Sequence, residues 1–166
     1  LDELEKRKLK VKFGIKTRVN DIIKNKDLLE RFRESGLISV GLGIERFQDH
    51  DLQVWNKDYQ ARDIKISLGY IRQAGIPLTE MYLIFGCSGD NMFVWKNILK
   101  NVRRLKAPIF YASFITPFPG SKIADELSGQ IKDWDYRHYD FSHAIIPTQS
   151  LSIMQLNALV GKKFFF

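Results

Sequence analysis

The sequence contains a single cysteine, Cys87. One thiol excludes an intrachain disulfide and is typical of a reducing compartment, which predicts a cytoplasmic protein. One thiolate is also too few for an iron–sulfur cluster, which usually needs three or four cysteines. The three histidines, His50, His138 and His143, are scattered along the chain, so the sequence predicts no metal site of its own.

Long apolar runs are absent as well. None approaches the roughly 18 residues of a membrane-spanning helix, and the charged N-terminus lacks the apolar centre of a signal peptide. Glycine and proline together supply only 16 of the 166 residues, which argues against a disordered or fibrous chain. With 45% hydrophobic and 27% charged residues, the composition is that of a globular domain.

The net charge of +7 is concentrated near the N-terminus, where residues 1–33 carry eleven Lys/Arg and six Asp/Glu. A basic segment of this kind can attract phosphates or RNA. Because acidic residues interrupt it, the pattern favours a solvated surface.

Apolar strands alternate with amphipathic helices along most of the chain. The pattern predicts strands at 11–15, 38–44, 81–85 and 109–115, and helices at 27–35, 61–74, 92–106 and 122–127. Strands apolar on both faces and joined by helices are typical of a covered parallel sheet. Because a complete eight-unit barrel takes about 250 residues, the prediction is an α/β fold: a partial (β/α) TIM-like barrel of about four parallel strands with helices outside.

The prediction for domain organisation is a partial barrel over residues 1–121 and a C-terminal extension over residues 122–166 that packs on it. Residues 122–150 are richer in turn-forming and aromatic residues and follow the last predicted strand.

Ligands of parallel α/β folds bind at the C-terminal ends of the strands. Arg18 follows the first predicted strand, where it is either a ligand for a carboxylate or phosphate or a plain surface residue. Glu45 ends the second strand and either binds an ammonium or ribose diol or forms a salt bridge with Arg46 or Lys57.

The third and fourth strands end in turns. Gly86 opens a glycine-containing turn with backbone groups suited to a polar ligand, and Asp90 or Asn91 is expected to cap the following helix. Thr116 and Pro117 begin a rigid exit whose alternative interpretation is a structural turn. Cys87 itself is interpreted as a small buried apolar residue.

Together these motifs resemble one family. The order Arg18, Gly41-Leu42-Gly43-Ile44-Glu45, Gly86-Cys87-Ser88-Gly89-Asp90 and Thr116-Pro117-Phe118-Pro119-Gly120 is similar to the C-terminal half of a radical S-adenosylmethionine (SAM) barrel, most like the branch associated with cobalamin-binding domains. Tyr82 departs from that pattern, because a small residue is frequent there.

The resemblance implies a parent enzyme that cleaves SAM reductively with a [4Fe-4S] cluster and that, in this branch, can carry cobalamin. Arg18 and Glu45 would place the ribose or methionine end of SAM. The backbone of Ile84 and Gly86 would meet the adenine, and Thr116 and Pro117 would border the same pocket. The cluster cysteines would lie outside this chain, which alone would be inactive.

Two other functions remain open, a non-catalytic module that binds phosphate or RNA and a structural α/β module. The substrate is expected to be a small molecule that the sequence does not identify. A membrane is not an expected partner, and a nucleic acid is a less favoured one.

An arc of four strands cannot close on itself, and its inner face would expose Leu, Ile and Phe. The chain is therefore expected to form a homo-oligomer or to associate with a missing N-terminal half.

Overall fold

Four strands form one parallel sheet in the computed structural model, which describes residues 1–7 and 9–160. The strands are paired in the order β1-β2-β3-β4, with β1 at Phe13–Arg18, β2 at Leu37–Glu45, β3 at Leu78–Phe85 and β4 at Ile109–Phe114. The predicted α/β class with about four parallel strands is confirmed.

Eight α-helices occur among the described residues. In chain order they are α1 Asp2–Lys6, α2 Val19–Lys24, α3 Leu29–Glu34, α4 Asp49–Val54, α5 Ala61–Gln73, α6 Met92–Leu105, α7 Lys122–Leu127 and α8 Ile153–Val160. Single 3-10 turns lie at Lys26–Leu28, Ser128–Gln130 and Tyr136–His138. None of the described helices is long and apolar enough to cross a membrane.

The predicted strands and helices are present with shifted ends. β1 begins at Phe13 and runs through Arg18, so Arg18 is the last residue of the strand and not part of the loop after it. Helices α2 and α4, of six residues each, were not predicted.

Helix α5 shows why the longer periodic segments were predicted well. Ile64, Leu68 and Ile71 recur at helical spacing and are all buried. Gly75, at a φ of +71°, ends this helix, and Gly36, at a φ of +108°, follows α3. Both glycines hold the left-handed conformation in which helices commonly stop.

The chain folds as two compact units. The first unit comprises Leu1–Tyr82 and Val102–Tyr111, and its core includes Val40, Leu42 and Ile44 of β2. The second unit comprises Leu83–Asn101 and the described residues from Ala112 onward. Its apolar contacts include Phe85 with Trp95 and Phe114, and a cluster formed by Ile131, Tyr139, Ile145 and Ile146. The domain division at residue 121 stays a prediction, and residues 161–166 of the extension lie outside the described residues.

One face of the sheet is less buried than the other. In β3, buried Thr79, Met81 and Leu83 alternate with Glu80 and Tyr82, which are only partly buried. The corresponding positions of β1 and β2 in the first unit are small or polar: Gly14, Lys16, Ser39 and Gly41. None of these four positions is a Leu, Ile or Phe, so the expected exposed row of those residues is not found there.

Candidate functional site

The end of β2 is strained at Glu45. Its φ is +58°, in the left-handed region that residues with a Cβ rarely adopt. A Cβ on Gly43 would lie 3.0 Å from Oε1 of Glu45, so this glycine leaves room for the carboxylate. Strain of this kind costs about 1–3 kcal/mol and is concentrated at functional sites.

The Glu45 carboxylate has one protein partner. Lys57 donates from Nζ to Oε1 over 3.1 Å, so the salt bridge to Lys57, one of the two proposed from sequence, is present. The Glu45 side chain is 17% exposed. Oε2 receives no hydrogen bond from residues 1–7 or 9–160, which leaves one charged oxygen able to accept from a ligand.

Tyr59 holds the strand end from behind. Its hydroxyl donates to the carbonyl oxygens of Ile44, at 2.7 Å, and Gly43, at 3.3 Å. Burial, and then the negative charges of Glu45 and Asp58, raise the pKa of Tyr59 well above its usual value. The phenol is therefore protonated at neutral pH and acts as a donor. Gly43, Glu45, Lys57 and Tyr59 are called the Glu45 corner below.

Arg18 lies beside the Glu45 corner in the sheet. Its Cα pairs with that of Gly43, two residues before Glu45. The side chain is exposed and forms no salt bridge with a described residue. Arg18 and Glu45, predicted from separate strands, thus come together in the first unit.

In the second unit, Gly86 begins a turn organised by the buried carboxylate of Asp90. Oδ2 of Asp90 accepts hydrogen bonds from the backbone N–H groups of Gly86, at 2.8 Å, and Cys87, at 2.9 Å. These two N–H groups are therefore used inside the turn, and the contact of the Gly86 backbone with a ligand stays a prediction. Residues 86–90 are called the Gly86 turn below.

Helix α6 is capped next to this turn. Asn91 Oδ1 accepts from the N–H groups of Phe93, at 2.9 Å, and Val94, at 3.2 Å, so Asn91 is the cap and Asp90 shapes the turn. Cys87 is half-buried, not fully buried as its interpretation required. Ile84 is half-buried and precedes the last residue of β3.

The chain leaves β4 through a rigid turn, as predicted. Thr116 and Pro117 are buried, and the Thr116 hydroxyl donates back to the Phe114 carbonyl over 3.2 Å. Gly120, at a φ of +81°, follows Pro119 in a turn with the features of type II. Ser121 Oγ then accepts from the Ala124 N–H and caps α7.

The predicted residues thus form two groups, each within one unit. Arg18 and Glu45 lie in the first unit, and Ile84, Gly86, Thr116 and Pro117 lie in the second. The sequence did not indicate Tyr59 as a site residue. Its hydroxyl contacts Ile44, 15 residues earlier in the chain, and no local sequence pattern predicts that contact.

The chain does not fit an iron–sulfur cluster. Its one cysteine cannot supply three thiolates. No group of three or more His, Cys, Asp or Glu able to hold a metal ion occurs among the residues that the structure describes. The acceptor oxygen of Glu45 does fit the hydroxyl or ammonium groups of SAM.

The fold matches part of solved radical SAM enzymes. Coproporphyrinogen III oxidase (HemN) of Escherichia coli aligns with a TM-score of 0.60 at 20% identity, over 70% of this chain and 26% of its own. The radical SAM methyltransferase TsrM of Kitasatospora setae, solved with cobalamin and a [4Fe-4S] cluster, aligns with a TM-score of 0.56 at 20% identity, over 72% and 24%. The predicted partial radical SAM barrel fold is confirmed.

A curated relative agrees with the structures. The chain is 30% identical over 143 residues to the anaerobic magnesium-protoporphyrin IX monomethyl ester cyclase of Cereibacter sphaeroides. The alignment covers 86% of this chain but only 23% of the cyclase. No protein-family model matches the chain. The resemblance to radical SAM enzymes, including cobalamin-associated ones, is confirmed, and it extends over about a quarter of such relatives.

Proposed function

We propose that this chain forms part of the SAM-binding surface of a radical SAM enzyme whose cluster ligands lie outside these 166 residues. The fold, the 30% identity to the cyclase and the single cysteine support this division of labour. In such an enzyme, a [4Fe-4S] cluster held by other residues would supply the electron for reductive cleavage of SAM. This chain binds and orients the SAM molecule.

The strained Glu45 with one open carboxylate oxygen carries the proposal. A carboxylate accepts hydrogen bonds from a ribose diol or from the ammonium group of methionine. Lys57 holds Oε1, so Oε2 is oriented before the ligand arrives. The conformational strain is then part of a site already arranged for binding.

Arg18 supplies the opposite charge. Its exposed guanidinium is free of salt bridges to described residues and suits the carboxylate of methionine, which it can bind through two parallel hydrogen bonds. Arg18 and Glu45 together match a ligand end that carries both an acid and an ammonium group.

The residues of the second unit contribute differently. The Gly86 N–H and the Thr116 hydroxyl are both used inside the protein. The contact of Ile84, Gly86, Thr116 and Pro117 with adenine stays a prediction from the resemblance, and it would use backbone carbonyls and apolar surface, not these two donors.

Calorimetric titration of the purified chain with SAM tests the proposal. We expect Glu45→Gln to raise the dissociation constant for SAM about tenfold, because a charged hydrogen-bond acceptor becomes neutral. Glu126→Gln is the matched control, because Glu126 pairs with Lys122 on an exposed helix surface. Equal affinities of wild type and Glu45→Gln would assign Glu45 to the salt bridge alone, and a chain without SAM affinity would contradict the proposal.

Association stays a prediction, either as a homo-oligomer or with a missing N-terminal half. Light scattering of the chain at micromolar concentration measures the association directly.

Cobalamin in the longer protein is proposed by analogy with TsrM, which was solved with that cofactor bound.

A further inference from the structure

A lysine and two tyrosines lie together on the less buried face of the first unit's sheet. The rings of Tyr82 and Tyr111 are stacked, with centroids 5.0 Å apart and planes 18° apart. Nζ of Lys16 lies 4.8 Å from the centroid of Tyr82. A cation and two parallel aromatic rings therefore follow one another on this face, called the tyrosine face below.

Gly41 makes this arrangement possible. A Cβ at Gly41 would come within 2.8 Å of the Tyr82 ring and 3.2 Å of Cγ of Lys16. At position 41 of β2, only glycine leaves room for the side chains of Tyr82 and Lys16 to lie over the strand. Core packing does not explain the arrangement, because Tyr111 remains 46% exposed and Lys16 is exposed.

Tyr82 is also held at its polar end. Its hydroxyl donates to Oε2 of Glu80 over 2.8 Å. Burial, followed by this hydrogen bond and the charge of Glu80, raises the pKa of Tyr82 to about 12. The phenol is protonated at neutral pH, and its ring is fixed before any ligand binds, which lowers the entropic cost of binding.

The charges of the tyrosine face favour an anion. Lys16 forms no salt bridge with residues 1–7 or 9–160. Arg18, two positions further along the same strand, adds a second exposed cation. The Glu80 carboxylate, which accepts from Tyr82, is the acid nearest in the chain to this pair of rings.

We propose that Lys16, Tyr82 and Tyr111 bind a flat conjugated ligand that carries a carboxylate. The ligand ring stacks on the exposed tyrosine, and the ammonium group of Lys16 pairs with the acid. The inference rests on the proposed function in one respect, since it takes this ligand to be the substrate of the radical SAM enzyme. The ring of Tyr82, held by Glu80 and stacked on Tyr111, sets the position of the ligand.

Fluorescence titration with protoporphyrin IX, a flat conjugated dicarboxylic acid, tests the inference on the 166-residue chain. We expect Tyr111→Leu and Lys16→Gln each to weaken binding about tenfold, the first by removing the ring and the second by removing the charge. The dimethyl ester of protoporphyrin IX should bind wild type more weakly and be insensitive to Lys16→Gln.

Tyr136→Leu and Lys132→Gln are matched controls, because both residues are exposed in the second unit. Far-ultraviolet circular dichroism verifies that each variant is folded. Absence of saturable binding overturns the inference. Equal weakening by the control pair also overturns it, since that indicates non-specific adsorption.

The porphyrin titration contains no SAM and needs no cluster, so the two proposals fail separately. If porphyrin does not bind while SAM binding still depends on Glu45, only the tyrosine face is refuted. If porphyrin binding depends on Lys16 and Tyr111 while SAM does not bind, the tyrosine face remains a ligand site and the proposed function is refuted.

Discussion

The Glu45 corner and the Gly86 turn each contain a carboxylate near the end of a strand, but the protein uses the two acids differently. Asp90 is 5% exposed and accepts two backbone hydrogen bonds, which fix the path of the chain. Glu45 has one lysine partner, an open oxygen and a left-handed backbone. The first acid maintains the structure, and the second remains able to bind.

Replacing Asp90 should have the largest effect on stability. In Asp90→Ala the N–H groups of Gly86 and Cys87 lose a charged acceptor, and we expect a loss of about 2–4 kcal/mol in the free energy of unfolding. Urea denaturation measures it. Asp125→Ala on the exposed side of α7 is the control and should change stability by less than about 0.5 kcal/mol. A loss as small as that of the control would mean that the turn keeps its path without Asp90.

Tyr59→Phe should have an intermediate effect at the Glu45 corner. Removing the hydroxyl leaves the Ile44 carbonyl without its 2.7 Å hydrogen bond, and we expect a cost of about 1 kcal/mol at pH 7. SAM affinity should change little, because Tyr59 acts on the backbone and not on the open oxygen of Glu45.

The same substitution predicts a pH dependence. Because the pKa of Tyr59 is raised in the folded state, the unfolded tyrosine ionises first, near its reference pKa of about 10. The folded state then binds more protons than the unfolded state, so stability falls as the pH rises above about 10. The stability difference between wild type and Tyr59→Phe, followed by urea denaturation from pH 7 to 11, should therefore shrink above pH 10. A constant difference contradicts the raised pKa.

The smallest expected effect separates strain from binding. Lys106 has a φ of +53° just after α6, and Lys106→Gly should stabilise the protein by about 0.5–1 kcal/mol through relief of that conformation. Glu45→Gly relieves similar strain but removes the salt bridge to Lys57, so its net change should be near zero while SAM affinity falls. Equal stabilisation by both substitutions would show that the Glu45–Lys57 pair contributes nothing to folding.

The sequence predicted those parts of the fold that depend on interactions between neighbouring residues. The buried stripe of α5, the left-handed glycines after α3 and α5, and the cap at Ser121 were all readable, because each depends on neighbouring residues. The six-residue helices α2 and α4 were not predicted, whereas α3 and α7, of the same length, were.

The candidate site divides in the same way. The positions of Arg18 and Glu45 at strand ends followed from the alternation of strands and helices. Their environment did not. Nothing in the sequence distinguished Lys57 from Arg46 as the partner of Glu45, or indicated that Asp90 would use the N–H groups of Gly86 and Cys87.

By itself, the sequence determined the α/β alternation, the single cysteine that excludes a cluster held by this chain alone, and the order of motifs that resembles radical SAM enzymes. Only the tertiary structure decided that Glu45 is strained with one oxygen open, and that Lys16, Tyr82 and Tyr111 meet above Gly41. The physical reason is the range of the interactions. Propensities and turns act between neighbours, whereas a cation over a ring or a lysine on a carboxylate needs strands from distant parts of the chain to be paired first.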